Sequence, residues 1–254
     1  MVRPLAVRRH NEIVQRLRAV GSVSVGELAN VFDVSHETIR RDLKLLADQG
    51  HLEVVHGGAA RRGMMEPSIA QRGEENAEGK AAIARTAARM VKDESTILLD
   101  SGTTTGALAL ELVGRPGLTI CTNSLNHAVT LCRVSGNRIF VLGGEVDPND
   151  EAMFGVGAAT GLDAVRVDIA FIGVGGFAED GGMTDYSVMA AETRARMIHS
   201  GPAYLLADHT KFDRRTSFRV PNTAKSAGVI VDRMPGPELA SAWKSMGLQI
   251  IVAK

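Results

Sequence analysis

The chain is poor in cysteine and has no long apolar run, and each shortage excludes a class of protein. Only two of its 254 residues are cysteines, Cys121 and Cys132, and their separation does not match a metal-ligand spacing. We therefore expect buried free thiols in the reducing cytoplasm, with no metal and no cofactor. No segment approaches the length of a membrane span, and the N-terminus lacks the apolar core of a signal peptide.

The chain also has no net charge, but its charges are unevenly distributed. The first 62 residues carry ten Lys/Arg and seven Asp/Glu, together with four of the seven histidines, whereas the rest carries 19 basic and 22 acidic residues. The excess of positive charge near the N-terminus has the sign that phosphate binding requires. A small helical bundle with solvated charges would show the same excess, so the order of the elements must decide between the two interpretations.

Residues 35–43 have the pattern of a short helix with one apolar and one cationic face. Ser35 is a good N-cap residue, and Ile39, Leu43 and Leu46 follow at helical spacing on a single stripe. A helix of this kind is suited to lie in the major groove of DNA. The residues expected on its DNA-facing side are Ser35, His36, Thr38, Arg40, Arg41 and Lys44.

The residues before this segment predict two further helices. Ile13 and Leu17 belong to an amphipathic first helix, and Ser24 with Glu27 fits a capping box at the start of a second. Residues 33–35 then form a tight turn into the cationic helix. This order of elements predicts a helix-turn-helix.

A β-wing is expected after the cationic helix. Leu52–Val55 has the residues of a strand, and the glycines after it allow the backbone of a tight turn. The DNA-binding domain is therefore predicted to span residues 1–60, and an irregular polar stretch over residues 61–79 is predicted to be a linker. The wing residues expected to contact DNA are His56, Gly57 and Gly58.

From Lys80 onward, short apolar runs alternate with helical patterns, so residues 80–254 are predicted to form an α/β domain. Such an alternation indicates a mostly parallel sheet covered on both faces, with ligands bound beyond the carboxyl ends of the strands. The predicted strands are 96–100, 118–122, 138–142, 168–173, 203–207, 228–231 and 248–252. The predicted helices are 81–91, 105–113, 125–133, 189–199 and 237–245.

The most distinctive strand end is the segment from Asp100 to Gly106, which leads into a helix. Its glycines let backbone N–H groups approach an anion, and the helix N-terminus adds a favourable dipole. The hydroxyls of Thr103, Thr104 and Thr105 could donate to the same oxygens. The segment predicts a phosphate cradle, although it lacks the Lys-Ser/Thr ending of a Walker loop, and a capped helix start that binds nothing is the alternative.

A second glycine-rich segment, residues 173–178, matches G-x-G-x-x-A after a predicted strand. Glu192 lies 19 residues beyond Gly173, near the position expected of a ribose-binding acid. However, residues 179–182 form a turn instead of opening a helix, which argues against dinucleotide binding. Close backbone approach to a smaller ligand, or a plain loop, fits the pattern better.

Eight short motifs, each weak alone, are highly specific in their order and spacing. They are Arg9–Ile13, Ser35–Leu43, His56–Ala59, Asp100–Thr105, Thr122–Leu125, Gly143-Gly144, Phe171–Gly173 and Asp208–Phe212. With them the chain resembles the DeoR family of bacterial transcription regulators along essentially its whole length. The resemblance implies a winged helix-turn-helix joined to a domain similar to phosphosugar isomerases, which senses a phosphorylated sugar or polyol. It further implies repression of carbohydrate or glycerol-phosphate catabolism, as in many members.

The resemblance also implies which residues bind the effector. Lys80 and Lys211 would pair with a phosphate, while Asp100 and Glu192 would accept hydrogen bonds from sugar hydroxyls. For each lysine taken singly, a solvated surface position is the alternative. The full implied set is Lys80, Asp100, Ser101, Gly102, Thr103, Thr104, Thr105, Gly173, Gly175, Glu192 and Lys211.

Two positions distinguish this chain within the family. Members commonly carry lysine shortly after the position of Glu192, where this chain has Arg194, and its planar guanidinium changes the expected effector preference. His209 stands where many members have serine. At this position the chain resembles the glycerol-3-phosphate repressor branch, but this one residue does not assign a ligand.

Two functions of different class follow. The first is a ligand-controlled repressor, not an enzyme, that binds double-stranded operator DNA as a homo-oligomer with paired heads. The alternative is a sugar-phosphate isomerase with an incidental DNA-binding head, in which Glu192 or Asp168 would be the carboxylate base. The separate N-terminal head favours the first.

Overall fold

The structure, a computed structural model, describes residues 6–20, 22–55, 58–60, 66–212 and 214–254. The chain divides into two compact units, Met1–Glu66 and Pro67–Lys254. Over the described ranges, no helix is long and apolar enough to cross a membrane. His56 and Gly57, two of the residues predicted to contact DNA, lie outside the described residues.

The first unit combines helices with a small antiparallel sheet. In chain order its elements are α1 (Ala6–Val20), β1 (Ser22–Ser24), α2 (Val25–Phe32), α3 (His36–Asp48), β2 (Glu53–Val55) and β3 (Gly58–Ala60). Strand β3 lies between β1 and β2 and pairs antiparallel with both. The β2–β3 ribbon is the predicted wing.

The helix boundaries in this unit follow from local hydrogen bonds. Ser24 and Glu27 form the predicted capping box at the start of α2, each accepting from the other's backbone N–H. Helix α2 ends at Asp33, which adopts the left-handed conformation with φ 51°. Ser35 caps α3 by accepting from the backbone N–H of Thr38. The predicted helix-turn-helix is confirmed.

The core of the first unit holds α3 by its apolar stripe. Ile39, Leu43 and Leu46 are buried, and they pack in one cluster with Ile13 and Leu17 of α1. Burial of each such side chain stabilises the fold by about 1.5–3 kcal/mol. The opposite side of α3 is thereby fixed outward.

The second unit is an α/β domain. Its helices are α4 (Ile69–Glu74), α5 (Ala77–Ala88), α6 (Thr103–Glu111), α7 (Leu125–Leu131), α8 (Val156–Asp163), α9 (Val188–Met197) and α10 (Pro237–Ser245). Its first strands are β4 (Thr96–Leu99), β5 (Thr119–Thr122), β6 (Arg138–Val141), β7 (Glu145–Asp147), β8 (Ala152–Phe154) and β9 (Ile169–Gly173). The later strands are β10 (Gly176–Phe177), β11 (Met183–Asp185), β12 (Ala203–Ala207), β13 (Phe218–Arg219), β14 (Gly228–Val231) and β15 (Gln249–Val252).

Seven of these strands form one sheet in the order β15-β14-β12-β9-β4-β5-β6. Every neighbouring pair is parallel, which confirms the predicted α/β class. The chain starts at β4 in the middle, runs outward to β6, returns to β9 and then runs outward on the other side. The strand order therefore reverses between β4 and β9, and ligands in open α/β sheets bind at such a switch point.

Alternate residues of the central strands enter two separate cores. Leu98 and Ile172 pack on the face covered by α8, α9 and α10. Ile97, Leu99 and Phe171 pack on the other face, under α5, α6 and α7. Because both faces are covered, only the strand ends are available to a ligand.

Several short elements are not predicted by the sequence patterns. The antiparallel hairpin β7–β8 and helix α8 occupy a stretch in which no element is expected. Strands β10, β11 and β13 form a small antiparallel sheet of their own. Its presence confirms that the G-x-G-x-x-A segment does not open a helix.

Two predictions are corrected. The stretch 61–79 is not irregular throughout, because Ser68 and Gln71 form a capping box that starts α4, and α5 begins at Ala77. Of the two thiols, Cys121 is buried as expected but Cys132 is exposed. Cys132 is the C-cap of α7, one position past Leu131, the last buried residue of that helix, and it therefore lies outside the buried stripe.

Candidate functional site

The outer face of α3 carries the residues predicted to meet DNA. Thr38 is half-buried and bonds Ser35, with 2.9 Å between the two hydroxyl oxygens, so the hydroxyls of the cap residue and of the first turn are paired with each other. The remaining members of the predicted set on α3 and its cap are exposed, namely Ser35, His36, Arg40, Arg41 and Lys44.

An acidic residue shares this face. Glu37 lies 3.2 Å from the guanidinium of Arg41 and 4.0 Å from that of Arg40. All three side chains are well exposed, so these pairs contribute little to stability. Glu37 therefore offsets part of the charge of the two arginines.

A buried ion pair fixes α3 against α1. Arg9 Nε donates to Asp42 Oδ2 over 2.6 Å, and His10 Nε2 lies 2.8 Å from Asp42 Oδ1. Burial alone would raise the pKa of Asp42, but hydrogen bonds from Arg9 and His10 hold it below its usual value. This carboxylate sets the orientation of the cationic helix, a role that helical periodicity alone does not reveal.

Gly58, the described member of the predicted wing contacts, is buried. A side chain there would come within 2.1 Å of the carbonyl oxygen of Val23. Glycine is thus required at this position for the close approach of β3 to β1, which is a packing role in addition to the predicted one.

In the second unit, the ends of β4 and β9 meet at the switch point. Gly102 follows β4 and caps α6 with φ 118°, a backbone conformation open chiefly to glycine. A side chain on Gly173, at the end of β9, would come within 2.9 Å of the carbonyl oxygen of Ser101. Two predicted site glycines are therefore explained by the closeness of the two strand ends.

Six buried side-chain polar atoms with no hydrogen-bond partner in the described part of the chain lie at or beside this end of the sheet, and others lie elsewhere. Such atoms are normally satisfied by protein or ordered water, so each of the six can take part in a further hydrogen bond. They follow neighbouring strands or lie in the first turn of a helix that does so. They are Asp100 Oδ1, Ser101 Oγ, both amide atoms of Asn123, His127 Nδ1 and Asp208 Oδ2.

Arg194 orients one of these side chains. Its Nε donates to Asp100 Oδ2 over 2.8 Å, and its Nη1 pairs with Asp185. Asp100 Oδ2 also accepts from the backbone N–H of Gly173 over 3.0 Å. Complete burial raises the pKa of Asp100 in spite of the guanidinium. The other carboxyl oxygen of Asp100 is the one left without a partner.

Cations lie beside this cluster. The ammonium of Lys80 donates to the main-chain oxygens of Arg72 and Glu75. Lys211 Nζ lies 3.8 Å from Glu75 Oε2, and Arg214 Nη2 donates to Glu75 Oε1 over 2.9 Å. Burial lowers the pKa of Lys211 to about 8, followed by repulsion from Arg214.

A cavity of about 380 Å³ opens next to the phosphate-cradle segment. Burial lowers the pKa of His127 in its wall to about 4, so this imidazole is neutral at physiological pH. A neutral imidazole can exchange hydrogen bonds with hydroxyl groups. Among the residues that line the cavity are Lys80, Gly102, Thr103, Gly106, Asn126 and His127.

The predicted effector residues are not all placed alike. Thr103 is half-buried at the cavity, whereas Thr104 and Thr105 are buried and the Thr105 hydroxyl donates to the carbonyl of Gly102. Gly175 lies against the backbone of Thr184. Glu192 is on the exposed side of α9, so the structure does not bring it into this cluster.

Asp168, considered as a base for an isomerase, is at the wrong end of the sheet. It precedes β9, and its carboxylate accepts from the backbone N–H of Thr96 at the start of β4. The amino ends of both strands are opposite the switch-point cluster. Within the described ranges, no group of His, Cys, Asp and Glu is arranged to hold a metal ion.

Five residues of the cluster and of the charges beside it are not predicted as site residues from the sequence. Asn123 and Asp208 lie in the motifs 122–125 and 208–212, but neither side chain gives a signal of its role until the strands are placed. Glu75, His127 and Arg214 come from elements far apart in the chain, and their meeting depends on the fold.

Both parts of the chain match family models. Residues 9–62 match the DeoR-like helix-turn-helix domain, and residues 75–233 match the DeoR C terminal sensor domain. Together the two matches cover most of the chain.

Relatives match over nearly full length. The HTH-type transcriptional repressor CsqR of Escherichia coli is 31% identical over 96% of this chain and 94% of its own. The glycerol-3-phosphate regulon repressor of Escherichia coli is 33% identical over 90% of this chain and 91% of its own. Among solved structures, ribose 5-phosphate isomerase A from Methanocaldococcus jannaschii aligns over 56% of each chain, with 18% identity and a TM-score of 0.42.

Proposed function

The chain belongs to the DeoR family of transcriptional repressors, and on that premise we propose that a phosphorylated sugar or polyol controls its binding to operator DNA. The family assigns a DNA-binding regulator with a sensor domain, not an enzyme. The chemical class of the effector and the residues that bind it are the content of the proposal.

The observation that carries the proposal is the set of unpartnered buried polar atoms at the switch point. Asp100, Ser101 and Asn123 present acceptors and donors that suit the hydroxyls of a sugar or polyol. A hydrophobic effector would leave these atoms without partners at a cost of about 1–3 kcal/mol each. The effector is therefore polar and rich in hydroxyls.

The phosphate would be bound by two features beside this set. The first turn of α6, residues 103–105, directs backbone N–H groups and a favourable dipole outward. Lys80, Lys211 and Arg214 supply positive charge, and the planar guanidinium of Arg214 can bind a phosphate in a bidentate manner. Gly102, Gly173 and Gly175 would allow the backbone to approach the ligand.

The remaining residues predicted from the family resemblance belong to this proposal in different ways. Thr103 borders the cavity and would contact the phosphate directly, whereas Thr104 and Thr105 would position the helix start. Glu192 is exposed on α9, so it would contact the effector only if the effector reached the exposed side of that helix.

At the other end of the chain, α3 and the wing would bind double-stranded operator DNA in the cytoplasm. Ser35, His36 and Thr38 would approach bases from the N-terminal end of the helix, while Arg40, Arg41 and Lys44 would contact phosphates or bases. His56, Gly57 and Gly58 would belong to the wing contact. One head reads one half-site, so we infer a homo-oligomer that pairs two heads on a two-fold operator.

The test is a screen of the full-length chain against phosphorylated sugars and polyols, each compared with its unphosphorylated form. A ligand of the native state raises the unfolding temperature. We expect a rise with a phosphorylated compound alone, and a change in the affinity for a fluorescent promoter duplex at the same concentration. A larger rise with the unphosphorylated form would contradict the assignment of the phosphate.

A further inference from the structure

The carboxylate of Glu75 is already paired with cations that would attract a phosphate. Its two carboxylate oxygens face Arg214, at 2.9 Å, and Lys211, at 3.8 Å. Its main-chain carbonyl accepts from Lys80. Three cations, Lys80 from α5 and Lys211 and Arg214 from the segment after β12, thus converge on one residue.

We propose that Glu75 is an internal ligand of the sensor, whose carboxylate holds the anion subsite at Lys211 and Arg214 until the effector's phosphate displaces it. This inference rests on the proposed function, because it concerns the regulation of the same site.

The Lys211–Glu75 contact differs in burial from a purely structural ion pair. The Lys211 side chain is 9% exposed, whereas that of Glu75 is 36% exposed. A partly solvated carboxylate can turn into water at little cost, while a buried ammonium cannot. By contrast, Arg72 and Asp150 form a pair that is buried on both sides, which suits a permanent contact.

The charge left after displacement matches a phosphate. Asp208 is fully buried and stays beside Lys80 and Lys211, where it is held by the backbone N–H of Thr210 and by Asn76. Lys80, Lys211 and Arg214 set against Asp208 leave two positive charges when Glu75 leaves. A phosphate monoester carries about −1.5 to −2 at neutral pH. The three cations set against Asp208 and Glu75 leave one positive charge, whereas the same cations set against Asp208 and the phosphate leave the subsite nearly neutral. With both anions present the subsite would be negative, so the charge balance favours exchange of Glu75 for the phosphate.

The position of Glu75 links this exchange to the rest of the chain. Glu75 is the C-cap of α4, the first helix of the second unit, and Lys80 holds the last carbonyls of that helix. The next residue, Asn76, has φ 52° and is the N-cap of α5. Displacement of Glu75 changes the corner between α4 and α5, in the segment that follows the DNA-binding head along the chain.

The experiment compares the full-length wild type with Glu75→Gln and with the control Glu74→Gln, using inorganic phosphate as the probe. Both variants lose one negative charge, and Glu74 is an exposed neighbour on the same helix. By titration calorimetry we expect Glu75→Gln to bind phosphate about tenfold more tightly than the wild type, because no partly exposed ion pair has to be broken. We expect Glu74→Gln to stay within about twofold of the wild type.

A second measurement follows the corner itself. Phosphate should increase amide hydrogen exchange in residues 69–76 of the wild type, whereas in Glu75→Gln the exchange should be raised before phosphate is added. The control should behave as the wild type does.

The outcomes separate the two hypotheses. Equal affinities in wild type and Glu75→Gln, or the same gain in both variants, would overturn the internal ligand, since competition would be absent or the gain merely electrostatic. Weaker binding by Glu75→Gln would also overturn it, because Glu75 would then support the subsite. If neither phosphate nor any phosphorylated sugar bound to any of the three proteins, the proposed function would fail and this inference with it.

Discussion

Arg194 and Asp100 form an ion pair that is buried on both sides, with 2.8 Å between Nε and Oδ2 and side chains 5% and 0% exposed. The pair joins helix α9 to the end of β4, and Arg194 continues to Asp185. It thereby holds the one site carboxylate that also bonds to the end of β9. The candidate site is built around this contact.

Replacement of Arg194 by Met should destabilise the sensor unit strongly. The variant keeps most of the side-chain volume but leaves Asp100 and Asp185 buried without their cation, which costs about 3–5 kcal/mol. Urea unfolding followed by circular dichroism measures the change. Arg196→Met is the matched control, because Arg196 lies on the same helix in an exposed pair with Asp163 and its removal should cost less than about 1 kcal/mol. Equal destabilisation in the two variants would contradict the importance of the buried pair.

Replacement of Ser101 by Ala should raise stability and lower effector affinity together. The hydroxyl of Ser101 is buried without a partner, so its removal should stabilise the unliganded protein by about 1 kcal/mol. The same change removes a group that would bond to the effector. Thermal unfolding with and without the effector measures both effects.

Ser200→Ala is the control for that variant. Ser200 is also buried, but its hydroxyl donates to the carbonyl of Met197 over 2.8 Å. Its removal should therefore cost about 1 kcal/mol and leave effector binding unchanged. If both serine variants were destabilised alike, Ser101 would be satisfied in the native protein and the site assignment would weaken.

Effector affinity should fall as the pH rises through about 8. Burial, followed by repulsion from Arg214, lowers the pKa of Lys211 to about 8. Below that pH the ammonium is charged and attracts the phosphate, and above it the ammonium is deprotonated and neutral. Titrations between about pH 7 and about pH 9 avoid the second ionisation of the phosphate near pH 6. Lys211→Arg stays charged throughout, so its affinity should be flat, and identical profiles would rule out Lys211 as the titrating group.

Removal of Glu37 should strengthen DNA binding, while removal of Arg40 or Arg41 should weaken it. Glu37 neutralises part of the exposed face of α3, so Glu37→Gln leaves both arginines available to phosphates. For each DNA phosphate that Arg40→Ala or Arg41→Ala no longer neutralises, the slope of log K against log salt concentration should become shallower by about 1. Fluorescence anisotropy with a promoter duplex at several salt concentrations measures these changes. Lys244→Ala, an exposed change on α10, should have no effect; arginine variants that matched it would place the DNA interface elsewhere.

Local signals in the sequence predict much of the fold. The capping residues Ser24 and Ser35 set their helix starts through bonds to residues three positions away, so a short window contains the whole cause. The central strands of the parallel sheet are recognised because both of their faces are buried, which favours apolar runs such as those of β9 and β14, whereas the edge strands β6 and β15 are at least partly exposed. Segments of these kinds appear where they are predicted.

The remaining features depend on partners far along the chain. Strand β8 is three residues long and pairs with β7 and an isolated bridge at Ser124, so no periodicity marks it. The sequence around Arg194 shows only an ordinary helical pattern. The fold is needed to show that its partner is Asp100, 94 positions away along the chain. The glycines and threonines of the candidate site are visible in the sequence, but the charges that surround it depend on the fold.

Because the chain returns to the middle of its sheet, a newly made molecule completes its effector-binding unit late in synthesis. Strand β4 can pair with β5 early, through Leu98 and Cys121, but its pairing with β9 must wait until Ala170 has been made, and Lys211 emerges later still. The first 66 residues form a unit of their own and leave the ribosome well before the sheet can close. During each round of synthesis there is therefore an interval in which the DNA-reading part is finished while the part that governs it has no complete binding site. Rapid folding of the last strands would shorten that interval. An effector that binds to the closed sheet would stabilise the folded state of the sensor unit once it has formed.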